Sequence, residues 1–127
     1  MCFHFKQSKS EKEFREKNFN GKPLKGVYNA YDFPVVSAVA NDDPYKLKEM
    51  NWGLIPNWSK TDDIKKFTLN SRHETINTKP SFKMAQRCLI FADGFFEWKW
   101  LDPIGKQKHL IEYPSSELFA FAGLYDN

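Results

Sequence analysis

CLIFADGFFEWKW, residues 88–100, is the stretch that decides the fold. Its β-branched and aromatic side chains predict one or two strands, and Asp93-Gly94 predicts a bend or bulge between them. Strands are also predicted at residues 2–5 and in VYNAY, PVVSAVA, LKEMNWGLIPNW, KHLIEY and LFAFAGLY, whereas NDDPY predicts a loop. Helices or helical turns are predicted in EKEFREKNF behind a Ser10–Glu13 capping box, in TDDIKKF, and in SFKMAQR behind Pro80. The chain therefore predicts a β-rich α+β domain with two or three short helices.

Strand alternation gives the end of this stretch two different faces. One face carries Phe96, Trp98 and Trp100, and the other carries Phe95, Glu97 and Lys99. Glu97 is then a lone carboxylate flanked by aromatic side chains, and partial burial would suit it to proton transfer near neutral pH. The alternative is an exposed edge glutamate paired with Lys99.

The length and composition fit a single domain over residues 1–127. Aromatic residues make up 17% of the chain, enough to fill a core and leave rings for a binding surface. No apolar run could cross a bilayer and the N-terminus turns polar at residue 6, so we expect a cytoplasmic protein without signal peptide or membrane partner. Cys2 and Cys88 predict free thiols, with a disulfide as the alternative. No Cys/His spacing suggests a metal site, and no cofactor is expected.

The net charge of +3 is too mild to indicate nucleic-acid binding by itself. Basic residues nevertheless concentrate in one region: Lys60, Lys65, Lys66, Arg72, Lys79, Lys83, Arg87 and Lys99. They are interleaved with aromatic residues: Trp58, Phe67, Phe82, Phe95, Phe96 and Trp98. Cations follow phosphates and exposed rings stack on unpaired bases, so the region is typical of a single-stranded nucleic-acid surface. The alternative is a solvated charged face over an aromatic core.

NSRHET, residues 70–75, offers an amide, a guanidinium and a carboxylate. In an extended conformation Asn70, Arg72 and Glu74 project to one face, where Arg72 would suit a phosphate. The alternative is a surface ion pair between Arg72 and Glu74, which would contribute little.

WGLIPNW, residues 52–58, places two tryptophans around a glycine–proline bend. Trp52 and Trp58, on either side of Pro56, could each expose a ring that stacks on an unpaired base. The alternative for both rings is packing in the core.

Cys2 directly follows the initiator methionine, so removal of Met1 would expose an α-amine next to a thiol. Such a 1,2-aminothiol condenses with an aldehyde: the amine forms an imine, and the thiol closes a five-membered ring. An α-amine is substantially neutral near physiological pH and a small fraction of a thiol is ionised, so both groups can react without extreme tuning. The alternative is an incidental second residue.

Taken in order, Met-Cys, WGLIPNW, NSRHET, KPSF, RCLIFADGFFEW and FAFAGLY resemble the motifs of the SRAP family. These are the SOS-response-associated peptidases, also described as abasic-site processing proteins. The resemblance runs from Cys2 to about Tyr125 and is densest over residues 52–98. It implies mixed or antiparallel sheets that form an open, barrel-like core.

The resemblance also implies a chemistry. The mature N-terminal Cys2 would form a thiazolidine crosslink with the ring-opened aldehyde of an abasic site in single-stranded DNA. Asn70 would sit in the active site, and Glu97 would serve as the acid–base group. β-Elimination from the imine would compete as a lyase step, and removal of Met1 by the protein itself would fit the peptidase label.

The DNA-contacting residues follow from the same resemblance and from the basic region. Arg72 would bind a flanking phosphate, and the WGLIPNW bend would contact the DNA near the lesion. The full predicted set is His4, Trp52, Pro56, Trp58, Arg72, Lys83 and Arg87.

Two features depart from the family pattern. His4 stands in a Cys-Phe-His sequence where the family usually has Cys-Gly-Arg. The family's active-site histidine lies in an H-x-x-M-P-like motif beyond FAFAGL, and neither His73 nor His109 matches it. We therefore expect a chain without the family's C-terminal segment, whose exposed core strands would support an oligomer or completion of the site by a second chain.

Two other functions stay open on the residues alone. One is a non-covalent module that binds single-stranded DNA. The other is a peptidase acting on other proteins, which is disfavoured because the chain has no G-x-S-x-G pattern.

Overall fold

The computed structural model describes residues 2–127, so Met1 and its predicted removal lie outside the described residues. The described strands are β1 His4–Gln7, β2 Gly26–Asn29, β3 Val35–Ala40, β4 Asp43–Asn51, β5 Gln86–Ala92, β6 Gly94–Leu101, β7 Gly105–Ile111 and β8 Phe119–Tyr125. Helix α1 is Glu11–Glu16, and three 3-10 helices are Ala30–Asp32, Asp63–Phe67 and His73–Thr75. The prediction of a β-rich domain with few, short helices is confirmed.

The strands form two four-stranded antiparallel sheets. Sheet 1 has the order β2-β1-β6-β7, and sheet 2 has the order β4-β3-β5-β8. The barrel-like core implied by the family resemblance is therefore not a closed barrel, because each sheet keeps its own edge strands. No described helix is long and apolar enough to cross a membrane.

The predicted bend at Asp93 is the corner between the two sheets. β5 ends at Ala92 in sheet 2 and β6 begins at Gly94 in sheet 1. The buried Asp93 carboxylate accepts hydrogen bonds from the Ser8 backbone N–H at 2.8 Å and from Lys6 Nζ at 3.0 Å, so the corner is tied to β1. A Cβ on Gly94 would come within 2.9 Å of Lys6 Cε and 3.0 Å of Leu110 Cδ1, so a larger residue at the corner would displace these side chains.

Aromatic side chains from both sheets meet in the core. Phe5 of β1 lies 5.6 Å from Phe121 of β8 between ring centroids, and 5.2 Å from Trp52. Phe5, Val36 and Ala92 form one buried cluster. A second buried cluster, Phe14, Val39 and Phe91, holds α1 against sheet 2. The first cluster is the one that supports the site described below.

Several local predictions were wrong in whole or in part. VYNAY is a strand only to Asn29, because Ala30–Asp32 is a 3-10 helix, and the strand predicted in LKEMNWGLIPNW ends at Asn51. The segment NDDPY is not all loop, because β4 begins at Asp43 and includes Pro44. β4 is an edge strand of sheet 2, where the missing N–H of proline is tolerated. SFKMAQR is not a helix: residues 80–84 form turns that lead into β5. NSRHET is extended only to Arg72, because His73–Thr75 is a 3-10 helix.

Candidate active site

An open cleft of about 950 Å³ brings together the three predicted catalytic residues, Cys2, Asn70 and Glu97. Its walls come from the N-terminus, from β6, from the segments around 52–57 and 68–71, and from β8 of sheet 2. Cys2 and Glu97, which lie 95 positions apart in the sequence, therefore line one space. Residues 2–127 contain no cluster of three or more His, Cys, Asp or Glu side chains that could hold a metal ion.

Cys2 is half-buried at one wall of the cleft and packs against the Phe5 cluster. Its Sγ lies 3.7 Å from the carbonyl oxygen of His4, which makes a weak S–H···O hydrogen bond. Burial raises the pKa of the Cys2 thiol above its ordinary value, and the negative charge of Glu97 raises the pKa further. The Cys2 thiol is consequently protonated at neutral pH, with a carboxylate close enough to influence it.

Glu97 occupies the cleft face of β6, as the alternation predicted. Phe95, two residues before it, packs into the core against Phe121, whereas Phe96 points to the other side and contacts His4 at 4.4 Å between centroids. Glu97 is half-buried, and its cross-strand partner is His109. The alternative of an exposed edge glutamate paired with Lys99 is therefore not what the structure shows.

Asn70 lines the cleft and carries a buried hydrogen-bond donor without a partner in the described chain. Its Nδ2 is buried and has no hydrogen-bond partner among residues 2–127. Leaving a buried donor unpaired costs about 1–3 kcal/mol, so such groups in native proteins need an explanation. The chain just before Asn70 is held in place because Trp52 Nε1 donates to the Leu69 carbonyl at 2.7 Å and Thr68 Oγ1 donates to the Leu54 carbonyl at 2.6 Å. These two hydrogen bonds fix the segment that carries Asn70 against the segment 52–54 in the wall of the cleft.

The WGLIPNW segment divides between core and surface. Trp52 is half-buried and packs on Phe5, and its hydrogen bond to Leu69 uses the indole N–H, so core packing accounts for most of its surface. Pro56 is buried in the cleft wall. Trp58 is 54% exposed, with its indole N–H donating to the Pro80 carbonyl at 3.3 Å. Only Trp58 therefore presents most of its ring to solvent.

The predicted cationic contacts lie outside the cleft wall. Arg72, Lys83 and Arg87 are exposed. Glu74 does not share a strand face with Arg72, because the 3-10 helix interrupts the alternation. His4 lies on the face of sheet 1 opposite to the cleft, since alternation along β1 turns Phe5 into the core.

Cys88 is a second thiol in the wall of the cleft. Both cysteines are free, as predicted, and the disulfide alternative is wrong. Cys88 is buried in β5, and burial raises the pKa of its thiol to about 11. Cys88 is therefore a poor nucleophile at neutral pH.

Two features of the site had no signal in the sequence. Asp126 accepts a hydrogen bond from the Asn57 backbone N–H at 2.9 Å and so ties the WGLIPNW segment to the end of β8. The unpaired state of Asn70 Nδ2 depends on what surrounds it in space, which spacing alone does not reveal.

Comparison with known proteins gives consistent matches. A family model described as SOS response associated peptidase (SRAP) matches residues 1–127. The abasic site processing protein YoqW of Bacillus subtilis (strain 168) is 44% identical over 103 residues, which cover 78% of this chain and 46% of that protein. The abasic site processing protein HMCES of Gallus gallus is 40% identical over 78 residues, which cover 56% of this chain and 23% of that protein. This chain thus spans about half the length of YoqW, and its match to HMCES covers 23% of that protein.

A solved structure shares the fold. The crystal structure of a protein from Bacteroides thetaiotaomicron has a TM-score of 0.82 at 28% identity, covering 97% of this chain and 59% of that chain. The two-sheet architecture is therefore found in an experimentally determined relative.

Proposed function

The chain belongs to the SRAP family, and we propose that it processes abasic sites in single-stranded DNA by covalent capture through Cys2. The observation that carries the proposal is that Cys2, Asn70 and Glu97 line one open cleft. Abasic-site processing is the activity named for the curated relatives YoqW and HMCES.

The proposed reaction begins once Met1 has been removed. The Cys2 α-amine adds to the C1′ aldehyde of the ring-opened sugar and forms a carbinolamine. Loss of water from the carbinolamine, with a proton supplied by Glu97, gives a protonated imine. Sγ of Cys2 then adds to the same carbon and closes a thiazolidine; the thiol proton passes to Glu97, and the ring nitrogen keeps its own hydrogen. One water is released overall, and no oxidant or reductant is needed.

Glu97 is the proposed proton-transfer group. A protonated Glu97 can give a proton to the departing hydroxyl of the carbinolamine, and the resulting carboxylate can accept the proton of the Cys2 thiol at ring closure. The second transfer matters here because burial keeps the Cys2 thiol protonated at neutral pH. In this mechanism the Glu97 carboxylate deprotonates the Cys2 thiol only after the imine has formed.

Asn70 is the proposed positioning group for the sugar. Its buried, unpaired Nδ2 can donate a hydrogen bond to a sugar or carbinolamine oxygen. Binding of that oxygen would satisfy the donor and hold the reactive carbon beside Cys2, which is the main contribution that a binding site makes to such a condensation.

We propose that the DNA backbone contacts the predicted cations, which are exposed and lie outside the cleft wall. Arg72, Lys83 and Arg87 are exposed cations that suit phosphates, and Trp58 is an exposed ring that suits an unpaired base. In the imine, acidification of the C2′ proton would also permit β-elimination, which breaks the C3′–O bond on the 3′ side. We propose this lyase step as a side reaction that ring closure by Cys2 limits.

The test is a crosslinking assay with an abasic single-stranded oligonucleotide, read on a denaturing gel. The protein with an N-terminal Cys2 should form a stable adduct, and Cys2→Ala should form none. Cys88→Ala is the matched control, because it removes the other thiol of the cleft, and it should retain the adduct. Glu97→Gln should slow adduct formation by about 100-fold, whereas Glu74→Gln, which changes an exposed glutamate, should not.

Each outcome separates the candidate functions. A Cys2→Ala protein that crosslinks as fast as the unsubstituted protein would rule out thiazolidine formation. Absence of any adduct, combined with salt-sensitive binding of the oligonucleotide by both proteins, would favour the non-covalent DNA-binding module. Mass spectrometry of the protein sample shows whether Met1 is present, so a blocked amine is recognised before the assay is interpreted.

A further inference from the structure

The outer face of the β6–β7 hairpin carries a set of rings and cations that the cleft does not use. We name it the Trp–Lys face, and it consists of Phe96, Trp98, Trp100, Lys106 and Lys108. In the hairpin register Trp98 lies opposite Lys108, and Trp100 lies opposite Lys106. Directly opposed residues of antiparallel strands share a face. The alternation that turns Glu97 toward the cleft therefore turns all five side chains away from it.

The rings of this face are open to solvent. Trp98 is 57% exposed and Trp100 is 69% exposed. Lys106 Nζ lies 4.8 Å from the centroid of Trp100, and Lys108 Nζ lies 4.4 Å from the centroid of Phe96. Each ammonium group thus sits against a ring at cation–π distance, so rings and positive charges form one continuous surface.

The charges of this face are not neutralised within the described chain. Among residues 2–127, the ion pairs involve other cations, and neither Lys106 nor Lys108 takes part in one. None of the five residues of the face is acidic, and Glu97 points to the opposite side of β6. The ligand that complements such a surface carries negative charge and flat apolar groups together.

Unpaired nucleotides have this chemistry, because each one presents a phosphate and a base with two free π-faces. In a duplex the faces of the bases are covered by stacking. An acidic peptide carries negative charge but does not present a flat ring with every charge. We propose that the Trp–Lys face is a second binding surface for single-stranded DNA, on the side of sheet 1 opposite to the cleft. The inference rests on the proposed function for the identity of the nucleic acid as DNA.

The topology connects the two surfaces. β7 is the edge strand of sheet 1, and the cleft and the Trp–Lys face lie on the two sides of the β6–β7 pair. A strand of DNA whose abasic site is held at Cys2 can continue around this edge and lay its flanking nucleotides on Trp98 and Trp100. The face would then raise affinity for long single strands without taking part in the chemistry at the lesion.

The experiment measures binding of undamaged single-stranded oligonucleotides by fluorescence anisotropy. Trp98→Ala/Trp100→Ala should bind roughly tenfold or more weakly, because each lost ring removes a stacking platform. Trp98→Phe/Trp100→Phe keeps an aromatic ring at each position and should retain most of the affinity, and circular dichroism of the alanine variant checks that it is folded. Ile104→Ala is the apolar control, because Ile104 is exposed in the hairpin turn and lies outside the face.

The lysines are tested by salt dependence. Lys106→Ala/Lys108→Ala should lower the slope of log affinity against log salt by about 1.4, the value for two phosphate contacts on a single strand. Lys12→Ala/Lys17→Ala removes the same charge from exposed positions on α1 and just after its end, and should change the slope far less. Equal effects of the two double variants would mean that only net charge matters and would overturn the proposal.

The remaining outcomes separate this proposal from the proposed function. Unchanged affinity of Trp98→Ala/Trp100→Ala would overturn the second surface, even if Cys2 crosslinks normally. Unchanged affinity with a loss of self-association in sedimentation would show that the face binds another copy of the chain. Lower affinity in a protein that forms no adduct at all would support the face while contradicting covalent capture.

Discussion

Replacing Asp93 with asparagine tests how the corner between the sheets holds β1 in place. Asp93 is 1% exposed and accepts hydrogen bonds from the backbone N–H and the hydroxyl of Ser8 and from Lys6 Nζ. Burial by itself would raise the pKa of Asp93, but these donors outweigh it and hold the pKa below its usual range. Asparagine keeps one acceptor oxygen and brings an NH₂ group against donors, so the ion pair and at least one hydrogen bond are lost.

The expected cost follows from these contacts. Removing one partner of a buried ion pair lowers the free energy of unfolding by about 3–5 kcal/mol. Lys6 is 20% exposed and keeps a second partner, Glu112, at 3.0 Å, so the lower end applies. We expect Asp93→Asn to lower the free energy of unfolding by about 3 kcal/mol at pH 7, measured by urea denaturation with tryptophan fluorescence.

The matched control is Asp62→Asn. Asp62 also pairs with a lysine, Lys65 at 3.2 Å, but its side chain is 64% exposed, so the loss should stay below about 1 kcal/mol. Because the folded pKa of Asp93 is lowered, its contribution is present above the unfolded pKa and is lost as pH falls through the folded pKa. The difference in unfolding free energy between Asp93→Asn and the unsubstituted protein should therefore decrease below about pH 4. An Asp93→Asn cost no larger than that of Asp62→Asn would refute the reasoning.

Three further predictions concern the buried thiol of Cys88, the hydrogen bond of Trp52 and the N-cap Ser10 of helix α1. Burial raises the pKa of Cys88 from 9.0 to about 11, so the unfolded state ionises first as the pH rises. The unsubstituted protein should therefore lose about 2 kcal/mol of unfolding free energy relative to Cys88→Ala between pH 8 and 11 in urea denaturation, and parallel pH curves would contradict this. Trp52→Phe keeps an aromatic ring but loses the 2.7 Å hydrogen bond to Leu69, so it should lower the free energy of unfolding by about 1 kcal/mol and slow crosslinking. An unchanged crosslinking rate would show that Trp52 does not support the site. Ser10→Ala removes the capping box with Glu13 and should cost about 1 kcal/mol in thermal unfolding, with no effect on crosslinking.

Local patterns in the sequence predicted much of the fold. The two faces of β6 follow from alternation, which needs only neighbouring residues, and the Ser10–Glu13 cap is a four-residue pattern that the structure contains. The bend at Asp93 was also predicted, but its role as the junction of two sheets was not. Sheet order depends on contacts between distant strands, such as β1 with β6, and no local pattern encodes them.

The errors arose where contacts with distant residues overrode local preference. NSRHET looked extended, but the chain before it is held by Trp52 and Thr68, and a 3-10 helix follows from His73. SFKMAQR has a helix-like start at Pro80, yet residues 80–84 form turns and β5 begins at Gln86, where it pairs with the distant strand β8. The grouping of Cys2, Asn70 and Glu97 came from the family resemblance, because their spacing alone does not bring them together.

The central claim is that both the amine and the thiol of Cys2 bond to the sugar aldehyde. Tandem mass spectrometry of the nuclease-trimmed adduct tests it most directly. We predict that the modification maps to the peptide that begins with Cys2, with the mass of the sugar fragment less one water and with a thiol that resists alkylation. A modification on a lysine, or on Cys2 with its thiol still open to alkylation, would contradict the account.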